Sequence, residues 1–157
     1  MTARPQIAWH TGPREDLLPL FALAEDSATQ LETYLHSGRV LVALDDGIPV
    51  GHLQLLEPDE PGEVELRSMA VAEGRQREGI GRALVERACA ACRADGARTL
   101  LVGTATADIG NLRFYQRLGF RMSAIERDVF TPDAGYPEGL DVDGIPLRDR
   151  VWLTLAL

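Results

Sequence analysis

Residues 71–84, V-A-E-G-R-Q-R-E-G-I-G-R-A-L, constrain this chain more than any other stretch. They join a β-rich run, residues 63–71, to an alanine-rich pattern at helical spacing that continues to Asp95. Between the two, Gly79 and Gly81 let the main chain wrap closely round a ligand, and the helix that follows points its N-terminus into the wrap. Unpaired N–H groups and the positive end of the helix dipole then converge on one spot, which makes an anion site.

The rest of the chain supplies a sheet for this unit. Residues 6–10 read as a first strand. Pro13 opens a helix whose apolar spacing runs to Glu25, and Asp26 or Ser27 caps a second helix that Gly38 ends. Residues 39–44, 48–56 and 63–71 are three strands, with Asp45-Asp46-Gly47 as a hairpin turn between the first two. Along the third, alternation places Glu65, Arg67 and Met69 on one face, opposite Val64, Leu66 and Ser68. After the glycine wrap and its helix, residues 98–104 form an apolar run suited to a strand buried on both faces. Residues 108–118 are helical up to Gly119, residues 120–129 return as a strand, residues 131–149 are a long excursion, and residues 150–157 close the sheet. The order β-α-α-β-β-β-α-β-α-β-β predicts an α/β or α+β sheet of mixed direction, in one domain spanning residues 1–157.

Composition excludes several classes. The formal net charge of -8 opposes nucleic-acid binding, which relies on Lys and Arg neutralising phosphates. No uncharged stretch approaches the ~18 residues of a membrane span, and the first residues lack the apolar core of a signal peptide, so a cytoplasmic location without membrane contact is expected. Cys89 and Cys92 make a C-x-x-C inside the predicted helix, without a second ligand pair, and read as two small packed side chains. His10, His36 and His52 share no ligand spacing, and Asp141-Val142-Asp143-Gly144 lacks the twelfth-position Glu of a calcium loop, so no metal is assigned.

A Walker loop requires Lys and Ser or Thr after its second glycine, and here Arg82-Ala83 follow; a dinucleotide site requires a third glycine where Leu84 stands. The segment Gln76-Arg77-Glu78-Gly79-Ile80-Gly81 instead matches Q/R-x-x-G-x-G/A, and residues 111–120, N-L-R-F-Y-Q-R-L-G-F, match N-x-x-F/L-Y-x-x-x-G-F. In these two motifs the chain resembles the GNAT acetyltransferase superfamily. The resemblance extends over residues 7–157 and is strongest from Glu65 to Phe120. It implies a GNAT-like fold: a mixed, mostly antiparallel sheet of about seven strands flanked by four helices, with strands four and five splayed.

The resemblance also implies acetyl-CoA as cosubstrate. Main-chain N–H groups from Arg77 to Arg82 would hold the pyrophosphate, with Gln76 before them and Ala83 completing the cradle at residues 77–83. The edges of Met69 and Val71 would pair with the pantetheine arm like an added strand. Arg75, Arg77 and Arg82 add positive charge that Glu73 and Glu78 partly offset. Family members place a tyrosine beside the thioester sulfur where Tyr115 stands, and Asn111, one turn earlier, would contact the cofactor. A phenol, unperturbed pKa ~10, can protonate a departing thiolate.

An amine acceptor must lose a proton before it attacks, because a lysine-like amine has a pKa of about 10.4. The histone-type branch of the family carries its general-base glutamate on strand four, where Glu65 lies. An ion pair with Arg67 is the structural alternative for that carboxylate. By the same resemblance the acceptor site would be built from residues 31–36 and 131–149. The latter hold Asp133, Tyr136, Glu138, Asp141, Asp143 and Asp149, which suits a cationic acceptor. The expected activity is transfer of acetyl to a primary amine of a small molecule or peptide. A module that binds acyl-CoA without turnover is the alternative, and a homodimer is the assembly the resemblance suggests.

Overall fold

The computed structural model describes residues 4–157. Strands β1 (Gln6–Trp9), β2 (Arg39–Asp45), β3 (Ile48–Leu56) and β4 (Glu63–Val71) form an antiparallel meander. Asp46 and Gly47 both take positive φ, 48° and 77°, as the tight turn between β2 and β3 demands. A parallel step leads from β4 to β5 (Thr99–Ala105), and β9 (Arg150–Ala156) inserts between β5 and β6 (Arg121–Glu126). The sheet order is therefore β1-β2-β3-β4-β5-β9-β6. Residues 131–149 contain only a 3-10 turn and the two-residue strands β7 (Asp141–Val142) and β8 (Ile145–Pro146), paired with each other.

Among the described residues four α-helices flank the sheet: α1 (Leu18–Ala24), α2 (Ala28–Tyr34), α3 (Ile80–Ala94) and α4 (Ile109–Arg117). The first helical stretch opens with a 3-10 turn, Arg14–Leu17, before α1. Ser27 caps α2, its Oγ accepting from Gln30 N at 3.1 Å. Each face of the sheet has its own core. Leu41 and Ala43 of β2 join Leu84 and Cys92 of α3, and Val40 and Val42 join Phe21 of α1 and Leu31 of α2. Gly51 on β3 lets α3 approach, since a β-carbon there would stand 3.1 Å from Ile80 Cγ2. Cys89 and Cys92 are both buried in the α3 core, where burial pushes their thiols above the ordinary range.

Simple alternation fails in the middle of β4. Gln54 faces Ser68, but the next β3 residue, Leu55, faces Leu66, so β4 carries one extra residue at Arg67. Val64 and Leu66 belong to the α3 core, and so does Met69 beyond the bulge. Ser68 instead hydrogen-bonds His52, whose ring stacks on Phe21 of α1 at 4.2 Å between centroids. Arg67 also turns to the α1–α2 side, over the Tyr34 ring. The expected grouping of Glu65, Arg67 and Met69 is thus corrected: an extra residue moves Met69 and Val71 to the α3 face, away from Arg67 and Ser68.

Among the described residues, no helix is long and apolar enough to cross a membrane.

Candidate active site

Parallel pairing of β4 and β5 covers Glu63–Leu66 against Thr99–Val102 and stops there, although the strands continue to Val71 and Ala105. The bulge at Arg67 lies where pairing ends, and a bulge adds twist that bends its strand away from its neighbour. The resulting wedge opens a cleft of ≈ 1030 Å³.

One end of the cleft is the N-terminus of α3. Gly79 is its cap in the left-handed region, φ 85° and ψ 8°, and no side chain closes the cap. The first helical bond runs from Ala83 N to Gly79 O at 3.0 Å, so the amides from Gly79 to Arg82 precede the helical ladder. Gly79, Ile80, Gly81 and Arg82 all line the cleft, as do Gln76 and Arg77, the latter with φ 67°. The two glycines serve different ends. A β-carbon on Gly79 would meet nothing within 4 Å, so that position needs its backbone conformation; one on Gly81 would stand 3.4 Å from Phe114 Cζ, at the edge of ordinary contact, so there the glycine only eases the packing of α4.

Two of the residues expected in the cradle lie outside the cleft wall. Ala83 has spent its N–H within the helix, and Glu78 faces Arg75 rather than the cleft. Arg75 bonds Asp45 at 2.6 Å and Glu78 at 2.9 Å, tying the loop to the β2–β3 turn. Those two carboxylates hold its guanidinium in the charged form.

Main-chain edges form one wall. Ala72 N donates to Val50 O at 2.8 Å, toward β3, so by alternation Met69 and Val71 present their amides to the open side. The Gln76 side chain lies on that side, its Nε2 at 3.5 Å from Val71 O.

The facing wall comes from α4. Asp108 caps this helix by accepting from Asn111 N at 2.9 Å, and Asn111 Nδ2 donates to Thr104 Oγ1 of β5 at 3.1 Å. Tyr115 is buried between Phe114 and Phe120, with centroids 5.1 and 5.3 Å away in edge-on geometry, and it borders the cleft. Burial, and secondarily the charge of Asp108, raises its phenol well above the ordinary range, so it stays protonated.

The lobe toward α1 and α2 collects a different set. Glu65 Oε1 lies 3.5 Å from Arg67 Nη1, and both residues line the cleft. Beside them Glu25 accepts from two phenols, Tyr34 at 3.1 Å and Tyr136 at 2.7 Å. Ser27 Oγ also donates to Ala134 O at 2.9 Å, so the residue 131–136 segment is pinned across the α1–α2 corner. Tyr34 and Tyr136 fall in the stretches expected to build the acceptor site. Glu25 and Arg150, also in the cleft, escape sequence reading, because neither belongs to a motif and only the fold brings them there. The acidic residues of the excursion do not take the expected place. Asp133, Glu138, Asp141, Asp143 and Asp149 are absent from the cleft wall; Asp141 instead accepts from Gly144 N within a tight turn, and Asp149 accepts from Asp128 N, tying the two ends of the excursion. His36 meets Glu15 on the surface. Among the described residues no group of three or more His, Cys, Asp or Glu is placed to hold a metal.

Residues 6–120 match the acetyltransferase (GNAT) family. The chain belongs to that family. Its relatives include the Bacillus subtilis N-acetyltransferase YvbK, 34% identical over 143 residues that cover 91% of this chain and 90% of the relative. A Bacillus subtilis acetyltransferase solved in complex with CoA superimposes with a TM-score of 0.87 at 33% identity, covering 98% of this chain and 99% of the other. A GNAT family acetyltransferase from Elizabethkingia anophelis, solved with acetyl-CoA bound, gives 0.87 at 30% identity, with 97% of each chain covered. This GNAT chain therefore has the mixed seven-stranded fold of the acetyltransferases, with its parallel β4–β5 step.

Proposed function

We propose that this chain transfers the acetyl group of acetyl-CoA to a primary amine of a small molecule or peptide, by direct attack and without an acyl-enzyme. The wedge between β4 and β5 carries the reading, because one cleft joins an unclosed helix N-terminus, a buried phenol and a carboxylate. The donors suit CoA. Amides from Gly79 to Arg82 match a pyrophosphate, with Gln76, Arg77 and Asn111 around them, and the outward edges of Met69 and Val71 match an amide-bearing arm laid down as an extra strand. The relatives solved with CoA and acetyl-CoA support the same ligand.

Acetyl-CoA, when bound, supplies an electrophilic carbonyl and a thiolate leaving group. The chain does the rest. An outward N–H near Val71 is aimed at the developing charge on the carbonyl oxygen. Glu65, directly or through water, takes the proton of the amine whose nitrogen forms the new C–N bond. Tyr115 gives its proton to the sulfur as the C–S bond breaks, and amide and thiol are the products.

Thermal melts with CoA esters, followed by thiol release with peptide N-termini, polyamines and aminoglycosides, test the proposal. Amine-dependent thiol release is expected. A melt raised by acetyl-CoA with no release for any amine would leave an acyl-CoA-binding module instead. Glu65→Gln should move the rate profile toward higher pH, and an unmoved profile would assign the base elsewhere.

A further inference from the structure

Resting on the acetyltransferase reading, we propose that the amine acceptor carries a carboxylate of its own and that Arg67 and Arg150 hold it. Both arginines line the cleft on the lobe that faces α1, α2 and the residue 131–136 segment. Aromatic rings support each guanidinium. Arg67 Cζ lies 4.3 Å from the centroid of Tyr34, and Arg150 Cζ lies 5.5 Å from that of Phe130 and 5.6 Å from that of Trp152. A guanidinium resting on a ring keeps its edge N–H groups available, and that edge is a fork matched to a carboxylate.

The protein's own carboxylates hold these two groups loosely. Arg67 reaches Glu65 at 3.5 Å and Arg150 reaches Glu126 at 3.6 Å, while the same Glu126 oxygen accepts the Trp152 indole N–H. Arginines with a purely structural place in this chain bond far more closely. Arg14 donates to the carbonyls of Leu35, Ser37 and Gly38 at 2.9, 2.9 and 2.6 Å. Among the described residues, the sealed and unpartnered side-chain nitrogens and oxygens are His52 Nδ1, Gln54 Oε1 and Arg75 Nη2. The spare nitrogens of Arg67 and Arg150 are not among these sealed atoms, and both residues line the cleft, although the two side chains are only 22% and 21% exposed.

The sheet makes room for this arrangement. A β-carbon on Gly103 would stand 2.8 Å from Arg150 Cδ and 3.1 Å from Trp152 Cζ3, so the bare glycine is the floor on which both lie. A run of contacts links the two guanidiniums: Arg67 lies over Tyr34, Tyr34 and Tyr136 both donate to Glu25, and Tyr136 packs edge-on at 5.1 Å against Phe130, over which Arg150 lies. Of the nearby carboxylates, Glu25 is already taken by two phenols and Glu65 remains for the amine. A simple polyamine would bring positive charge against two loosely held guanidiniums; an amino-acid-like molecule pairs both of its charges.

Matched acceptors test this: α-, β- and γ-amino acids against their carboxamides, with kcat/KM compared as a ratio within each protein. The wild-type chain should favour at least one carboxylate over its amide by about tenfold to a hundredfold, the range of a charge-assisted hydrogen bond. Arg150→Gln and Arg67→Met should collapse that ratio toward one, with an acetyl-CoA-induced rise in melting temperature as the check on folding. Should either fail to fold, Arg150→Lys and Arg67→Lys keep the charge without the fork and should retain part of the ratio. Amides that react as well as amino acids, or a ratio indifferent to both arginines, overturn the inference while the acetyltransferase reading stands. Titration with N-acetyl amino acids and their amides separates the two failures. Arginine-dependent binding of the acids without thiol release for any amine would sink the reaction and keep the carboxylate site.

Discussion

The Tyr136 hydroxyl donates to Glu25 Oε2 across 2.7 Å, closing a loop between positions 111 apart in the chain. Together with Ser27 and Ala134, this bond keeps the residue 131–136 segment over the α1–α2 corner. Glu25 is thereby a clasp as well as a charge.

Tyr136→Phe removes the clasp and keeps the ring on Phe130. A net hydrogen bond of about 1 kcal/mol corresponds to a fall in melting temperature of roughly 2–4 °C for a chain of this size. The Michaelis constant of the amine should rise and the dissociation constant of acetyl-CoA should hold. If melting and Michaelis constant both stay where they were, the segment is held by other contacts.

Tyr115→Phe should lower kcat by about a hundredfold or more, the lower bound typical of a positioned general acid. Acetyl-CoA affinity should change little, since the ring still packs between Phe114 and Phe120. Burial lifts the phenol above the ordinary ~10, so the wild-type rate should show no loss from its ionisation up to that pH. Turnover equal to wild type in the phenylalanine variant would remove the acid role.

His52 gives a pH dependence of known sign. Burial beside Phe21 pushes its pKa down to about 3. The unfolded chain, with an imidazole near ~6.5, then binds the extra proton between the two values. The contribution to stability is complete above about pH 6.5 and is lost as pH falls toward 3, by up to ~1.4 kcal/mol per unit. Denaturant melts between pH 4 and 7, in ~1-unit steps, should show a shallower loss for His52→Gln than for wild type. Parallel curves would mean that His52 charges without unfolding the chain.

Gly79→Ala and Gly81→Ala separate the two glycine demands. Alanine in the left-handed region costs about 1–2 kcal/mol, so the first change should distort the cap and weaken acetyl-CoA roughly tenfold by calorimetry. The second places a methyl against the far end of the Phe114 ring and should weaken it by less than about threefold. The reverse order would place the ligand against α4 instead of the α3 cap.

Much of this was readable in advance where local physics rules. Ser27, Gly119 and the Asp46-Gly47 turn mark their elements because capping and positive φ select residue types directly. The strand at Glu63–Val71 and the helix from Ile80 also follow from pattern alone. Local pattern could not show the extra residue at Arg67, since a bulge is visible only against the partner strand, and alternation therefore misassigned Met69. Nor could it reveal Glu25 and Arg150, far apart in the chain and each ordinary in its own segment. The acidic run in residues 131–149 misled for the converse reason: Asp141 and Asp149 accept from backbone N–H groups outside the cleft, and composition cannot tell which way a loop turns its side chains.

The bulge in β4 has an evolutionary reach of its own. Ahead of it, Glu65 faces the lobe proposed for the acceptor; beyond it, Met69 and Val71 turn their amides to the place proposed for the pantetheine arm. One strand is thus divided into two independently tunable halves. On the proposed mechanism, side chains on the first half can drift and change which amine is admitted, while the second half would grip through main chain that mutation hardly alters. A lineage of enzymes can in this way exchange substrates many times over and keep one donor.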